Sequence, residues 1–287
     1  MSRASERPQP IRPRDAVVTR LRVVRTARVS PGFVRVTLLA DDPAFTASFR
    51  SLGHDQWFRL FFDHAKNGPL LLPDGGAEGW HSRLLAMPED RRCTVRNYTV
   101  RDARRLTGRL TDRWEFDVDF VVHTGPDGEV EGAAANWALG LLPGDEAGLL
   151  DQGLLFTPPT TPVPMTIVAE ETGLPGVEGI ARSLPAGVRA TLLLEVPHPD
   201  DRRELHSAAD LDVHWLPRAD PADAPGQAAL AALATRPPAP ESYVYAAGEA
   251  GFVREAKQLA QHAGVPADRI DARAYWRLTR PRTTTPA

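Results

Sequence analysis

Residues 93–101 read CTVRNYTVR, and their side chains alternate in the way a β-strand requires. Strict alternation puts Arg96 and Tyr98 on one face of that strand and Val95, Asn97 and Thr99 on the other. An Arg beside a Tyr is compatible with an ordinary solvated sheet face. It also suits a surface that grips something flat and anionic, since guanidinium offers a forked donor and phenol a rigid ring.

Working outward, the same period of two recurs in FVRVTLL (33–39), QWFRLFF (56–62) and WEFDVDFVVH (114–123). Short strands separated by Gly, Pro and Asp clusters predict an antiparallel β-barrel or sandwich. The segment FTPPTTPVP (156–164) contains four prolines, which favour extended backbone and forbid a helix, so it marks a boundary. Beyond it the texture changes. MTIVAEE (165–171), ATLLLEV (190–196), LDVHWLP (211–217) and SYVYAAGE (242–249) are more continuously apolar and alternate with helical segments, as parallel strands buried on both faces do. One helix is expected near Leu174 with Pro175 in its first turn, another over about Glu249 to His262. The expected organisation is a disordered 1–16, a barrel over 17–157, a Rossmann-like parallel-sheet α/β domain over 158–280 and a disordered 281–287.

Composition excludes several function classes. The chain has 287 residues, 42% of them hydrophobic, enough for two cores. Net charge is −3 with both signs interspersed, so duplex nucleic acid is not an expected partner. A single cysteine, Cys93, rules out an internal disulfide and a four-thiolate iron–sulfur cluster. No apolar signal segment or membrane-length run is present, which predicts a cytoplasmic protein without stable membrane insertion; whether it is a monomer or a weak dimer stays open. His54, His64 and His81 with Asp55 and Asp63 lack ligand spacing, so no metal site is expected. There is no G-x-G-x-x-G, although Gly173, Gly176 and Gly179 open a helix where amides can receive an anion or where turn chemistry alone operates.

The order of these pieces resembles the ferredoxin reductase-like flavoproteins and, more finely, the siderophore-interacting proteins, a family of ferric-siderophore reductases. The resemblance covers about residues 17 to 277. It rests on RNYTVR (96–101), DFVVH (119–123), GAAANWALGLLPGD (132–145), AEETGLPGV (169–177), AAGE (246–249) and YWR (275–277). It implies a noncovalent FAD on the barrel, NAD(P)H as electron donor and a ferric siderophore as substrate. Cofactor contacts implied by it are Arg96, Tyr98, Thr99, Val121, Val122, His123, Gly132, Ala133, Ala134 and Trp137, with Glu171, Thr172 and Glu249 toward the nucleotide. Tyr98 and Thr99 would stand at the reacting flavin, and Tyr275, Trp276 and Arg277 on the substrate side.

Each position has a structural alternative. His123 is a cofactor contact or a solvent-facing strand end, Trp137 a wall of the site or a core anchor. Glu171, Thr172 and Glu249 are ligand contacts or helix caps, and Tyr275 and Trp276 site residues or core aromatics. Two departures from the family pattern stand out: residues 148–156 (GLLDQGLLF) lack the arginine of its usual Gly-Pro-Arg-Gly turn, and no glycine follows YWR. The altered 148–156 turn keeps alive a second reading, a flavin-binding biosynthetic enzyme on the same scaffold with another, even redox-neutral, reaction.

Overall fold

A computed structural model describes residues 9–63, 65, 68–108, 112–125 and 127–278. Seven strands form the first sheet: β1 (Thr19–Ser30), β2 (Phe33–Ala40), β3 (Trp57–Phe62), β4 (Thr94–Thr99), β5 (Asp102–Leu106), β6 (Arg113–Val121) and β9 (Glu146–Asp151). Their order is β4-β3-β9-β1-β2-β6-β5, antiparallel throughout. The two edges of this sheet, β4 and β5, are successive stretches of one chain. At the corner between them the Val100 amide donates to Gln56 on one side (2.8 Å) and the Arg101 amide to Asp117 on the other (3.0 Å). That corner closes the sheet into a barrel. Alternate residues of each strand, among them Leu38, Phe58, Leu60, Phe62, Phe116 and Phe120, fill its interior, and each fully buried ring contributes about 1.5–3 kcal/mol.

The short helix α1 (Pro43–Ser48) closes one flank, α2 (Trp80–Leu85) belongs to the long 63–92 excursion, and a hairpin of β7 (His123–Thr124) and β8 (Val130–Glu131) leads into α3 (Ala133–Leu139). Residues 148–151 differ from expectation. They are not a turn but the end of β9, a central strand of the barrel, with Ala147 and Leu149 facing in and Leu150 facing out. The N-terminal segment also differs. Residues 9–16 run along the barrel because the Leu154 amide donates to Ile11 (3.0 Å) and Ala16 is buried; residues 1–8 and 281–287 lie outside the described residues.

The second sheet is parallel, in the order β12 (Asp210–Pro217), β11 (Arg189–Val196), β10 (Met165–Ala169), β13 (Tyr243–Glu249), β14 (Ile270–Trp276). Helices α5 (Gln227–Thr235) and α6 (Ala250–His262) cover one face through Val168, Leu193 and Ala246. The other face, with Ile167, Leu192, Tyr243 and Tyr245, is covered by α4 (Leu174–Ser183) together with Phe33 of the barrel and Phe156 of the connecting segment. The two sheets therefore share a hydrophobic core. No helix among the described residues is long and apolar enough to cross a membrane.

Ions lock the same seam. Asp119 of β6 is clasped by Arg35 (2.6 and 2.9 Å) and, from the second domain, by Arg203 (2.5 Å). Glu178 of α4 answers with Arg203 (3.2 Å) and Arg101 (3.0 Å). Burial alone pushes the Asp119 carboxyl up, but the two guanidiniums outweigh it and hold it below its ordinary value.

The glycines at 173, 176 and 179 are not an anion cradle. An added Cβ would stand 2.7 Å from the Ala247 carbonyl oxygen, 3.1 Å from the Tyr275 hydroxyl and 1.9 Å from the His54 carbonyl oxygen, respectively. Their absent side chains let α4 lie against the sheet and the barrel loop.

Candidate functional site

Pairing with β3 decides which way the motif strand faces. Tyr98 lies opposite Phe58 and Arg96 opposite Leu60, on the interior side, whereas Thr99 lies opposite Trp57 and Asn97 opposite Arg59. The Tyr98 ring rests on Phe120 with centroids 4.3 Å apart, and burial pushes its phenol up against the opposing charge of Arg96. Arg96 itself is exposed. Its guanidinium donates to the Val95 carbonyl (2.8 Å) and has no carboxylate partner among the described residues. Among the described residues β4 pairs only with β3, so its second edge is open beside Arg96 and Tyr98.

The hairpin after β6 supplies the next pieces. Gly132 has φ +90°, a conformation reserved for glycine, and starts α3 with half-buried Ala133 and Ala134. Trp137, one turn on, is a core anchor: it is 5% exposed and packs on Phe62 (4.9 Å) and Phe120 (5.8 Å). A ring so placed holds α3 in the barrel mouth. Val122 is likewise buried in the barrel and Val121 packs on the second domain's core. Of the strand 121–123, only His123 presents a side chain to the crevice between domains. Its Nδ1 is 3.8 Å from Glu171 Oε1 and its ring 6.2 Å from that of Trp276. Burial holds the imidazole below its ordinary value, partly offset by Glu171.

Across the crevice stand the carboxyl ends of the parallel strands, where open α/β sheets take ligands. Here the structure redistributes the expected roles. Glu249 is the N-cap of α6: one oxygen receives the amides of Gly251 and Phe252, the other the amide of Leu278 (3.1 Å). Although burial acts upward, these amides hold it below its ordinary value. Thr172 is tied by hydroxyl and amide to Glu170. Glu171 is fully buried, and its Oε2 pairs with Arg218, which in turn donates to Glu195 (2.7 Å). Its other oxygen, Oε1, has no hydrogen-bond partner among the described residues and faces His123.

The C-terminal strand divides its aromatics. Trp276 donates its indole N–H to Glu170 (3.0 Å), half-buried at the crevice, and exposed Arg277 follows it. Tyr275, expected on the substrate side, turns inward instead: its phenol lies 3.3 Å from that of Tyr245, and both it and Thr99 Oγ1 of the barrel stand near the same point over Gly176. A tyrosine buried at a seam finds a polar partner for its hydroxyl, and it is Tyr245 whose phenol crosses the domain boundary, to Asp55.

A flavin dinucleotide needs a flat slot for its ring and positive charge for its pyrophosphate. The open edge of β4, the half-buried Tyr98 ring, the carboxylate-free Arg96 and the small residues at Gly132 to Ala134 meet those needs. The residues present fit the group.

Four polar residues escaped the sequence reading: Asp55, Glu170, Arg218 and Tyr245. Tyr243 and Tyr245 carried a signal, since two phenols at i and i+2 in a buried strand both demand hydrogen-bond partners. Asp55 and His54 had been weighed for metal. Instead Asp55 bonds Tyr245 and the amides of Leu155 and Phe156, and the His54 ring stacks on Phe156 at 5.4 Å; His64 lies outside the described residues.

Two family profiles match the chain: "Siderophore-interacting FAD-binding domain" over residues 22–154 and "Siderophore-interacting protein" over 164–279. Ferric vibriobactin reductase ViuB of Vibrio cholerae is 28% identical, over 88% of this chain and 87% of its own. A siderophore utilization protein from T. fusca is 26% identical, covers 97% of each chain and superposes with a TM-score of 0.70. The siderophore-interacting protein SipS from Aeromonas hydrophila, at 23% identity, shares the fold over 92% of this chain and 99% of its own, with a TM-score of 0.65.

Proposed function

Because the chain belongs to the siderophore-interacting protein family and carries its FAD-binding domain, we propose that it is an NAD(P)H-dependent flavoprotein that reduces a ferric siderophore and so releases the iron. One observation carries the reading. The crevice joins an open-edged barrel strand to a sheet end, and among the described residues Arg96 there lacks a carboxylate and Glu171 Oε1 a donor. ViuB, a ferric vibriobactin reductase similar over most of both chains, supports the substrate class.

When bound, FAD supplies the exchange between two-electron hydride and the single electron that Fe(III) accepts. The chain's own residues bind and orient. Arg96 would neutralise the pyrophosphate beside the small residues Gly132 to Ala134, Tyr98 would shield one side of the ring from water, and Thr99 would bond its polar edge. His123, whose imidazole burial holds below its ordinary value, offers a ring nitrogen at the crevice. Glu171 Oε1 receives an N–H or O–H of the nicotinamide nucleotide, while Thr172 and Glu249 act indirectly by holding the strand ends. Trp276 and Arg277 flank the entrance, where positive charge favours an anionic chelate. Hydroxamate and catecholate oxygens hold ferric iron far better than ferrous, so electron delivery alone loosens the metal. In this reading residues 17–157 serve the flavin and 158–280 the nucleotide, and the work is cytoplasmic. The biosynthetic alternative leaned on residues 148–156 as an altered turn, and half of that segment is the end of barrel strand β9.

Anaerobic stopped-flow mixing of the FAD-loaded protein with NADH and with NADPH, followed by a ferric hydroxamate and a ferrous trap, tests this. Bleaching of the flavin and appearance of trapped Fe(II) are expected. A flavin that stays oxidised with both nucleotides refutes the donor assignment, and one that bleaches but yields no Fe(II) refutes the substrate.

A further inference from the structure

Three buried charged side chains run in a row from the start of α5 to the crevice. Glu195, near the end of β11, is 1% exposed. Its Oε1 accepts from the Gly226 amide (2.7 Å) and its Oε2 from the Ala229 amide (3.0 Å), so it caps α5 from outside that helix. The same Oε1 receives Arg218 Nε (2.7 Å). Arg218 directly follows β12 and is tied down at its backbone as well, where its amide donates to the Val196 carbonyl (3.0 Å). Its remaining guanidinium nitrogens diverge, Nη1 to the Pro221 carbonyl (3.2 Å) and Nη2 to Glu171 Oε2. At the far end Glu171 Oε1 has no hydrogen-bond partner among the described residues, and His123 Nδ1, at 3.8 Å, is beyond hydrogen-bond reach.

This grip needs arginine. Three nitrogens in one plane point three ways and meet two carboxyl groups and a carbonyl, whereas a lysine ammonium is a single point on a flexible stem and cannot span them. Burial acts to lower the Arg218 guanidinium, but Glu171 and Glu195 outweigh it and hold it above its ordinary value. With Glu195 fixed on the amides of α5 and Glu171 fixed on Arg218, the Glu171 carboxyl has little freedom to rotate. One oxygen is turned inward and the other is aimed at the crevice. A buried acceptor without a donor destabilises a fold, so its retention on a rigid mount points to a ligand that supplies the donor.

We propose that Arg218 is a positioning residue for the nucleotide: by drawing Glu171 Oε2 inward, with Glu195 as its anchor, it presents Oε1 in one fixed place to an N–H or O–H of the nicotinamide nucleotide. This rests on the reading that Glu171 receives such a donor. The titratable groups around Glu171 are Arg218 behind it, His123 across the crevice with Glu131 beyond, and the adjacent Glu170. With Arg218 replaced by a neutral residue, carboxyl groups outnumber cations there. A buried carboxyl without a counter-charge takes up a proton rather than hold a bare charge, and the proton blunts it as an acceptor.

Arg218→Gln tests it. Binding of NAD+ and of NADP+ to the oxidised, FAD-loaded protein is measured by calorimetry at pH 7 and pH 9, beside flavin content. Glu170, raised to about 8 by burial and Glu171, titrates between these pH values in both proteins, so the readout is the ratio of variant to unaltered affinity at each pH. The variant is expected to bind about tenfold more weakly at pH 7 and to recover most of that loss at pH 9, where Glu171 gives up its added proton, with flavin content unchanged. Structural damage would not be repaired by alkali. Should Arg218→Gln fail to fold, Arg218→Lys decides: it keeps the charge without the three-way grip, and a loss of about fivefold at both pH values is expected. Unaltered affinity in either variant, or an equal deficit at both pH values in Arg218→Gln, overturns the inference and leaves the proposed function standing. If neither variant folds, Arg218 is architectural and the inference falls. Failure of the unaltered protein to bind either nucleotide overturns the donor reading itself.

Discussion

The seam between the two domains contains a locked part and an unfinished part, and both are built from the same residue types. In the locked part Asp119, Glu178, Arg35, Arg101 and Arg203 answer one another across the boundary, and α4 lies against the His54 carbonyl because residue 179 is glycine. In the unfinished part Arg96 has no carboxylate and Glu171 Oε1 no donor among the described residues. The difference separates architecture from site. The guanidiniums and carboxylates that hold the domains together pair with one another, whereas Arg96 meets no carboxylate among the described residues and Glu171, paired with Arg218 through one oxygen, keeps the other without a donor.

Breaking the locked part has the largest expected effect. Asp119→Ala strips Arg35 and Arg203 of their shared partner, and removing one member of a buried ion group costs about 3–5 kcal/mol. Urea unfolding is expected to show that loss with or without FAD. A change under about 1 kcal/mol would mean that the seam stays hydrated in solution and the comparison fails.

Arg96→Ala is the converse. Loss of a charge-assisted contact of about 1.5–3 kcal/mol predicts FAD affinity lower by roughly 10- to 100-fold, while apoprotein stability stays within about 0.5 kcal/mol. Fluorescence titration and urea unfolding, run side by side, check both halves of that statement. Equal losses in the two would return Arg96 to the architecture.

Glu170 sits where the two parts meet, and pH sharpens its placement. Burial first, and the adjacent Glu171 second, push its carboxyl up to about 8. That lies above the value of about 4.3 expected in the unfolded chain. Between those two pH values the folded state holds a proton that the unfolded state releases. Glu170's contribution to stability is therefore complete below the lower value and declines as pH rises toward the upper one. A slope of up to about 1.4 kcal/mol per pH unit is expected from this group and is expected to vanish in Glu170→Gln. Unfolding curves at pH 5, 6, 7 and 8 measure it, and identical slopes in the two proteins would place Glu170 among solvated carboxylates.

Arg277→Ala carries the smallest effect. An exposed charge is worth about 0.2–1 kcal/mol, so KM for an anionic ferric chelate is expected to rise a few-fold at low salt and to converge with the unaltered protein at high salt. Flavin content is expected to stay the same. Shed flavin, or unfolding, would make the end of β14 structural.

By itself the sequence determined whatever depends on neighbours along the chain. Period-two runs gave the barrel strands, continuous apolar runs gave the parallel ones, and alternation alone placed Arg96 and Tyr98 on one face of β4, because backbone pleating is a local steric property. Where the reading leaned on the family's usual turn instead of on the residues it slipped, as with GLLD (148–151), which is the end of strand β9. Tertiary structure alone decided which polar groups are already satisfied. Glu249 caps α6, Thr172 serves Glu170, Trp137 anchors the barrel and Tyr275 turns to Tyr245. The partners of such groups come from distant positions, 55 with 245 and 171 with 218. A hydrogen bond is a short-range contact whose members are chosen by the packing of whole elements, and no local periodicity encodes that choice.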